Sequence, residues 1–125
     1  MKIFREFSFD SAHYLNHMEP GHKCANMHGH TYRLRIELEG ELDPVIGWVV
    51  DFADVKRVVG GVIGELDHKV LNDIPGLEQP TAEVIAVYLW RRIKPDLPQL
   101  SCVTLWENPN NGVEYRGEPV RVPAE

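Results

Sequence analysis

The sequence has 125 residues, 13 Lys and Arg against 19 Asp and Glu, a formal charge of −6 and a 43% hydrophobic composition. A chain of this length buries roughly two-thirds of its unfolded surface, so residues 1–125 are read as one domain whose core needs no disulfide staples. The excess of acid opposes a phosphate-backbone-binding face, and no apolar run nears the roughly 20 residues that span a bilayer or resembles a signal peptide, so the expectation is a cytoplasmic protein with neither nucleic-acid nor membrane partners.

In Lys2–His13 the odd positions hold Ile3, Phe7 and Phe9 and the even ones Glu6, Ser8 and Asp10, which predicts a half-buried strand that Phe4 interrupts. Asn16–Asn26, rich in His, Pro, Gly and Asn, reads as a loop. From His30 to Glu39, Tyr32, Leu34, Ile36 and Leu38 share one face and the charges the other, the strongest strand pattern in the chain. Gly40–Gly47 turns, and Asp51 caps a helix with Val55, Val58, Val59, Val62, Ile63 and Leu66 at helical spacing, although the adjacent Gly60 and Gly61 weaken it. Pro80-Thr81-Ala82-Glu83 opens a second helix that ends before Pro95. Leu100–Trp106 and Val113–Gly117 read as strands around the turn-forming Asn108–Gly112. The order ββααββ predicts an α+β fold, an antiparallel sheet with both helices on one face. The other face and the edges stay uncovered in so short a chain, which predicts oligomerisation.

His28 and His30, two apart at the start of a strand, project from one face, and His13 ends the neighbouring strand. If the strands pair, three imidazoles converge, the donor set of a catalytic zinc that keeps a fourth position open. The loop residues His17 and His22 have no strand register and read as solvated. Cys24, four residues before His28, is placed either to exchange protons with a bound substrate or to close a Cys-His₃ structural zinc site. Cys102, in a strand, reads as a small core residue. Asp67 and His68 form a carboxylate–imidazole pair suited to proton transfer. Glu107, at a strand end, can accept paired hydrogen bonds from an amidine-like N–C–N edge. Glu83 and Thr81 already have sufficient reason in the start of a helix.

Phe9-Asp10-Ser11-Ala12-His13, Cys24-Ala25-Asn26-Met27-His28-Gly29-His30, Val50-Asp51-Phe52, Leu66-Asp67-His68-Lys69-Val70-Leu71-Asn72, Pro80-Thr81-Ala82-Glu83 and Trp106-Glu107 follow one another along the chain. Together they resemble the 6-pyruvoyltetrahydropterin and 6-carboxytetrahydropterin synthase family of tunnelling-fold proteins, nearly end to end. The resemblance implies zinc (Zn2+) on His13, His28 and His30, proton transfer by Cys24, Asp67 and His68, and a pterin ring anchored by Glu107 with Thr81 close by. It implies trimers whose sheets close into a barrel and stack as homohexamers, with active sites at subunit boundaries. The short Cys24–His28 spacing resembles the carboxy-forming, queuosine-pathway branch, and Cys24 itself argues against the folate-directed branch, which typically has glutamate there. The implied reaction takes 7,8-dihydroneopterin triphosphate to 6-carboxy-5,6,7,8-tetrahydropterin, acetaldehyde and triphosphate. Rivals are a 6-pyruvoyltetrahydropterin-forming lyase and a non-catalytic zinc-stabilised binding module. Lys23, Lys69 and Arg116 are candidate triphosphate contacts. Val84 departs from the asparagine that often follows the Pro-Thr-Ala-Glu motif.

Overall fold

The computed structural model describes residues 1–123. Strands β1 (Lys2–His13), β2 (His28–Glu39), β3 (Leu100–Asn108) and β4 (Asn111–Tyr115) form one antiparallel sheet in the order β1-β2-β3-β4, with helices α1 (Phe52–Leu66) and α2 (Ala82–Ile93) between β2 and β3. The α+β architecture and the ββααββ order agree with the sequence pattern.

The period-2 alternation of β1 and β2 decides which residues face the helices. Phe9, Ser11 and His13 are buried from β1, and Tyr32, Leu34, Ile36 and Leu38 from β2. Burying each such Leu or Ile side chain contributes about 1.5–3 kcal/mol of transfer free energy. Asp51 caps α1 by accepting a hydrogen bond from the Ala53 N–H at 2.9 Å, and the helix buries Val55, Val59, Val62, Ile63 and Leu66 against the sheet. Gly60 and Gly61 fall on its exposed side, where they remove no packing. Thr81 caps α2 in the same way, accepting from the Val84 N–H at 3.2 Å. Val84 is itself buried in the core.

Local differences separate the sequence reading from the structure, among them a 3₁₀ turn at Leu71–Asp73 and an end of β4 at Tyr115 in place of Gly117. The loop before β2 contains a 3₁₀ turn at Lys23–Ala25, capped by the His22 imidazole, which accepts from the Cys24 N–H at 3.1 Å. The β3–β4 hairpin is tighter than the Asn108–Gly112 turn expected. The Asn108 carboxamide oxygen accepts from the N–H groups of Asn110 and Asn111, both at 2.9 Å, so pairing resumes at Asn111. Phe4, which breaks the apolar alternation, lies outside the core on the helix-free face, under the Arg35 guanidinium at 3.8 Å.

The helix-free face of the sheet carries Arg33, which bonds Glu6 at 2.8 Å and lies over the Trp106 ring at 4.4 Å. No helix among the described residues is long and apolar enough to cross a membrane.

Candidate active site

Antiparallel pairing sets His13 opposite His28 and Ser11 opposite His30. The three imidazoles therefore meet on the helix-facing side at the β1–β2 end, with ring centroids 4.5 to 5.0 Å apart. Two of the rings have defined roles for their nitrogens. His13 Nδ1–H donates to the Pro80 carbonyl at 2.7 Å, and His28 Nδ1–H donates to the Asn26 carbonyl at 2.7 Å. A carbonyl only accepts, so both rings are locked in the tautomer that leaves Nε2 bare. These two Nε2 atoms face each other at 3.0 Å.

Two lone pairs at that separation repel unless a cation lies between them. The buried Nε2 of His30 has no hydrogen-bond partner. Burial pushes the His13 and His30 imidazoles below the ordinary histidine value, against the opposing effects of the Pro80 bond and the Glu107 charge respectively. Neutral imidazoles are the form that ligates a metal. Zinc–nitrogen distances of about 2.0–2.1 Å imply tetrahedral edges of about 3.3–3.4 Å, close to the 3.0 Å edge observed. The donor set fits a divalent cation.

Glu107 joins this group. Together with His13, His28 and His30 it offers donor atoms all within 4.8 Å of one another. The β3 register slips between Trp106 and Asn108, leaving Glu107 as the extra residue of a bulge. Bulges of this kind re-aim a side chain beside functional sites.

Cys24, on the 3₁₀ turn, is partly buried and lines a cavity of about 450 Å³ with Lys23, His28, His30, Glu107, Asn108 and Asn111. Its sulfur is not among the clustered donor atoms. A neighbouring cavity of about 390 Å³ is bounded by Ala82, Glu83, Glu107, Asn111, Gly112 and Val113. Thr81 sits just before that wall with its hydroxyl held by the helix cap.

Asp67 and His68 lie elsewhere. The segment after α1 runs beside β1, where Ala12 N–H donates to the Lys69 carbonyl at 3.0 Å and Ala12 bridges Val70. Asp67 accepts from the Asp10 N–H at 2.9 Å and pairs with His68 Nδ1 at 3.0 Å. Those contacts, the Asp10 bond first, hold the Asp67 carboxyl below the usual carboxylate range. His68 adopts the left-handed backbone conformation at φ 57° and its imidazole is exposed. Strand alternation places the Asp10 and Thr31 side chains on the face opposite His13 and His30, and Asp10, Asp67 and His68 form a donor group separate from the imidazole cluster, although His68 and His30 both border one cleft of about 500 Å³. Lys69 borders the His68 cleft, Lys23 the Cys24 cavity, and Arg116 the helix-free face beside Glu114 at 3.6 Å.

Sequence reading missed Asp10 as the partner of Asp67 and His68, and missed the Pro80 and Asn26 carbonyls that fix the histidine tautomers. Each lies inside a motif already singled out. Asn72, in another, grips Tyr14 through both backbone groups at 3.0 and 2.8 Å, anchoring the chain just past His13.

Comparison with known proteins identifies the family and the fold. The family described as 6-pyruvoyl tetrahydropterin synthase matches residues 2–118. A dihydroneopterin monophosphate aldolase from Pyrococcus furiosus is 40% identical over 116 residues, covering 90% of this chain and 95% of that protein. A 6-carboxy-5,6,7,8-tetrahydropterin synthase from Haemophilus influenzae is 37% identical, covering 92% and 98%. The solved 6-pyruvoyl tetrahydropterin synthase of Caenorhabditis elegans superposes with a TM-score of 0.87 at 31% identity, covering 94% of this chain and 95% of that one. The chain belongs to the 6-pyruvoyl tetrahydropterin synthase family and is an enzyme of its pterin-lyase kind.

Proposed function

We propose that the protein is a zinc-dependent lyase that converts 7,8-dihydroneopterin triphosphate to 6-carboxy-5,6,7,8-tetrahydropterin, acetaldehyde and triphosphate, serving 7-deazaguanine (queuosine) biosynthesis in the cytoplasm. The observation that carries the reading is Cys24 in one cavity with His28, His30 and Glu107, a thiol beside a cation site and a carboxylate. Relatives named 6-carboxy-5,6,7,8-tetrahydropterin synthase at 37% and 34% identity support it.

His13, His28 and His30 hold the metal. When bound it lowers the pKa of the substrate's side-chain hydroxyls. Cys24 takes a proton from the side chain. Glu107 accepts the N–H groups of the pterin's amidine edge, and Thr81 stands near the ring, so the reacting carbons are held within reach. Asp67, kept ionised by the Asp10 N–H and by His68, holds the His68 imidazole in one orientation as the second proton-transfer unit. That unit sits apart from the metal cluster in a single chain, which supports a site completed by a neighbouring copy, in a homohexamer built as a dimer of trimers.

The 40% identity to the Pyrococcus furiosus aldolase favours a second reading, aldol cleavage of a dihydroneopterin monophosphate. One experiment separates the readings: incubate zinc-loaded protein with 7,8-dihydroneopterin triphosphate and, separately, the monophosphate, and identify products by mass spectrometry. 6-Carboxytetrahydropterin with acetaldehyde is expected from the triphosphate. A 6-hydroxymethyl pterin from the monophosphate would replace this assignment with the aldolase one, and 6-pyruvoyltetrahydropterin as end product with the pyruvoyl-forming one. No turnover with metal intact would leave a zinc-stabilised binding module.

A further inference from the structure

We infer that Glu107 is an exchangeable fourth ligand: it closes the metal's coordination sphere in the substrate-free enzyme and leaves it when a pterin ring arrives. The inference rests on the proposed pterin reading for the second half of that exchange.

Glu107 Oε1 lies 3.1 Å from His30 Nε2, yet that nitrogen makes no hydrogen bond. An ion-pair distance without hydrogen-bond alignment is what two donors aimed at one cation show. The 3.1 Å separation matches the 3.0 Å between the Nε2 atoms of His13 and His28, so two edges of the four-donor cluster have nearly equal length. Both are close to a tetrahedral zinc edge of about 3.3–3.4 Å. Three imidazoles and one carboxylate are a complete donor set for zinc.

The same side chain has a second place to go. Glu107 and Asn111 are the residues common to the cation cavity and its neighbour, whose lining also includes Glu83. With 28% of its side chain exposed and its backbone in a bulge, Glu107 can turn from one cavity to the other. A ring held between Glu83 and Glu107 draws the carboxylate off the metal and opens the position that substrate hydroxyls then occupy. One residue thereby couples ring recognition to metal activation.

The test measures zinc affinity by competition with a chromophoric chelator for the wild type, Glu107→Gln and Glu107→Asp, with circular dichroism confirming the fold of each. Glu107→Gln is expected to weaken zinc binding tenfold or more, with Glu107→Asp between the two. A Glu107→Gln affinity within twofold of wild type overturns the ligand assignment. The wild type is then titrated at saturating 7,8-dihydropterin, which has the ring but no side-chain hydroxyls. By reciprocal linkage it should weaken zinc binding by a factor comparable to that of Glu107→Gln. Unchanged affinity with the ring bound overturns the exchange while leaving the ligand intact. A wild type that binds zinc but no pterin overturns the exchange through failure of the pterin reading itself, a separate result.

Discussion

Two glycine-to-alanine substitutions should move stability in opposite directions. Gly60 lies in the middle of α1, and a Cβ built there meets nothing within 4 Å. Alanine has the higher helix propensity, so Gly60→Ala should stabilise the fold by about 0.5–1 kcal/mol. Gly117 follows β4 at φ +85°, and a Cβ there would overlap Trp90, meeting Cζ2 most closely and Cε2 at 2.8 Å. Holding alanine at positive φ costs roughly 1–2 kcal/mol and displacing a packed ring roughly 1–3 kcal/mol. Because the tail can peel off Trp90, the net loss should be about 2–4 kcal/mol. Unfolding entropy of about 2.1 cal/mol/K per residue makes 1 kcal/mol worth about 4 °C at this length. Gly60→Ala should therefore raise Tm by about 2–4 °C and Gly117→Ala lower it by about 8–16 °C. Urea titration followed by tryptophan fluorescence, with calorimetry for Tm, measures both. A Gly117→Ala variant within about 0.5 kcal/mol of wild type would refute the close approach of the tail to Trp90.

Other consequences are as specific. His28→Ala should abolish stoichiometric zinc, whereas Cys24→Ala should keep it while losing activity, because the Cys24 sulfur lies outside the donor cluster; metal analysis of the purified variants decides this, and zinc lost from Cys24→Ala would make the cysteine a ligand. Mixing inactive Cys24→Ala and His68→Ala chains under verified subunit exchange should restore part of the activity, since the two residues line different cavities of one chain; no recovery would point to a site within one subunit. The Glu65 carboxyl is held below its usual range, first by the Arg92 hydrogen bonds at 2.5 and 3.0 Å. A depressed carboxylate pKa adds stability above the unfolded value of about 4.3 and loses it as pH falls through the folded one. At this exposure Glu65→Gln should cost under about 1 kcal/mol at pH 7 and nothing measurable near pH 2, read from urea midpoints at both pH values.

Local chemistry by itself determined most of the elements and the pairing of His28 with His30 on one face. The alternation in β1 and β2 is strict enough to place Phe9, Tyr32, Leu34, Ile36 and Leu38 on one face and, by the same parity, to align His28 with His30. The caps Asp51 and Thr81 were legible because a short polar side chain before an apolar helical period has one economical use. Val55 to Leu66 form a helix through Gly60, Gly61 and Gly64 because the buried stripe outweighs three propensity losses of about 1 kcal/mol each. The family motifs, read in order, carried the fold and its kind of chemistry.

Tertiary structure decided what depends on distance between segments remote in sequence. The register that sets His13 against His28 turns two strand ends into one cluster of donor atoms, and no periodicity specifies it. The Pro80 carbonyl, 67 residues from His13, fixes a tautomer that no sequence pattern encodes. A bulge, invisible in composition, brings Glu107 into the cluster of imidazole donor atoms. The separation of Asp67 and His68 from that cluster arises from the path of the chain along the far edge of β1, where the Ala12–Lys69 bond holds it. Sequence patterns report which face a residue takes; convergence at a site is settled only when backbone hydrogen bonds fix the register between segments.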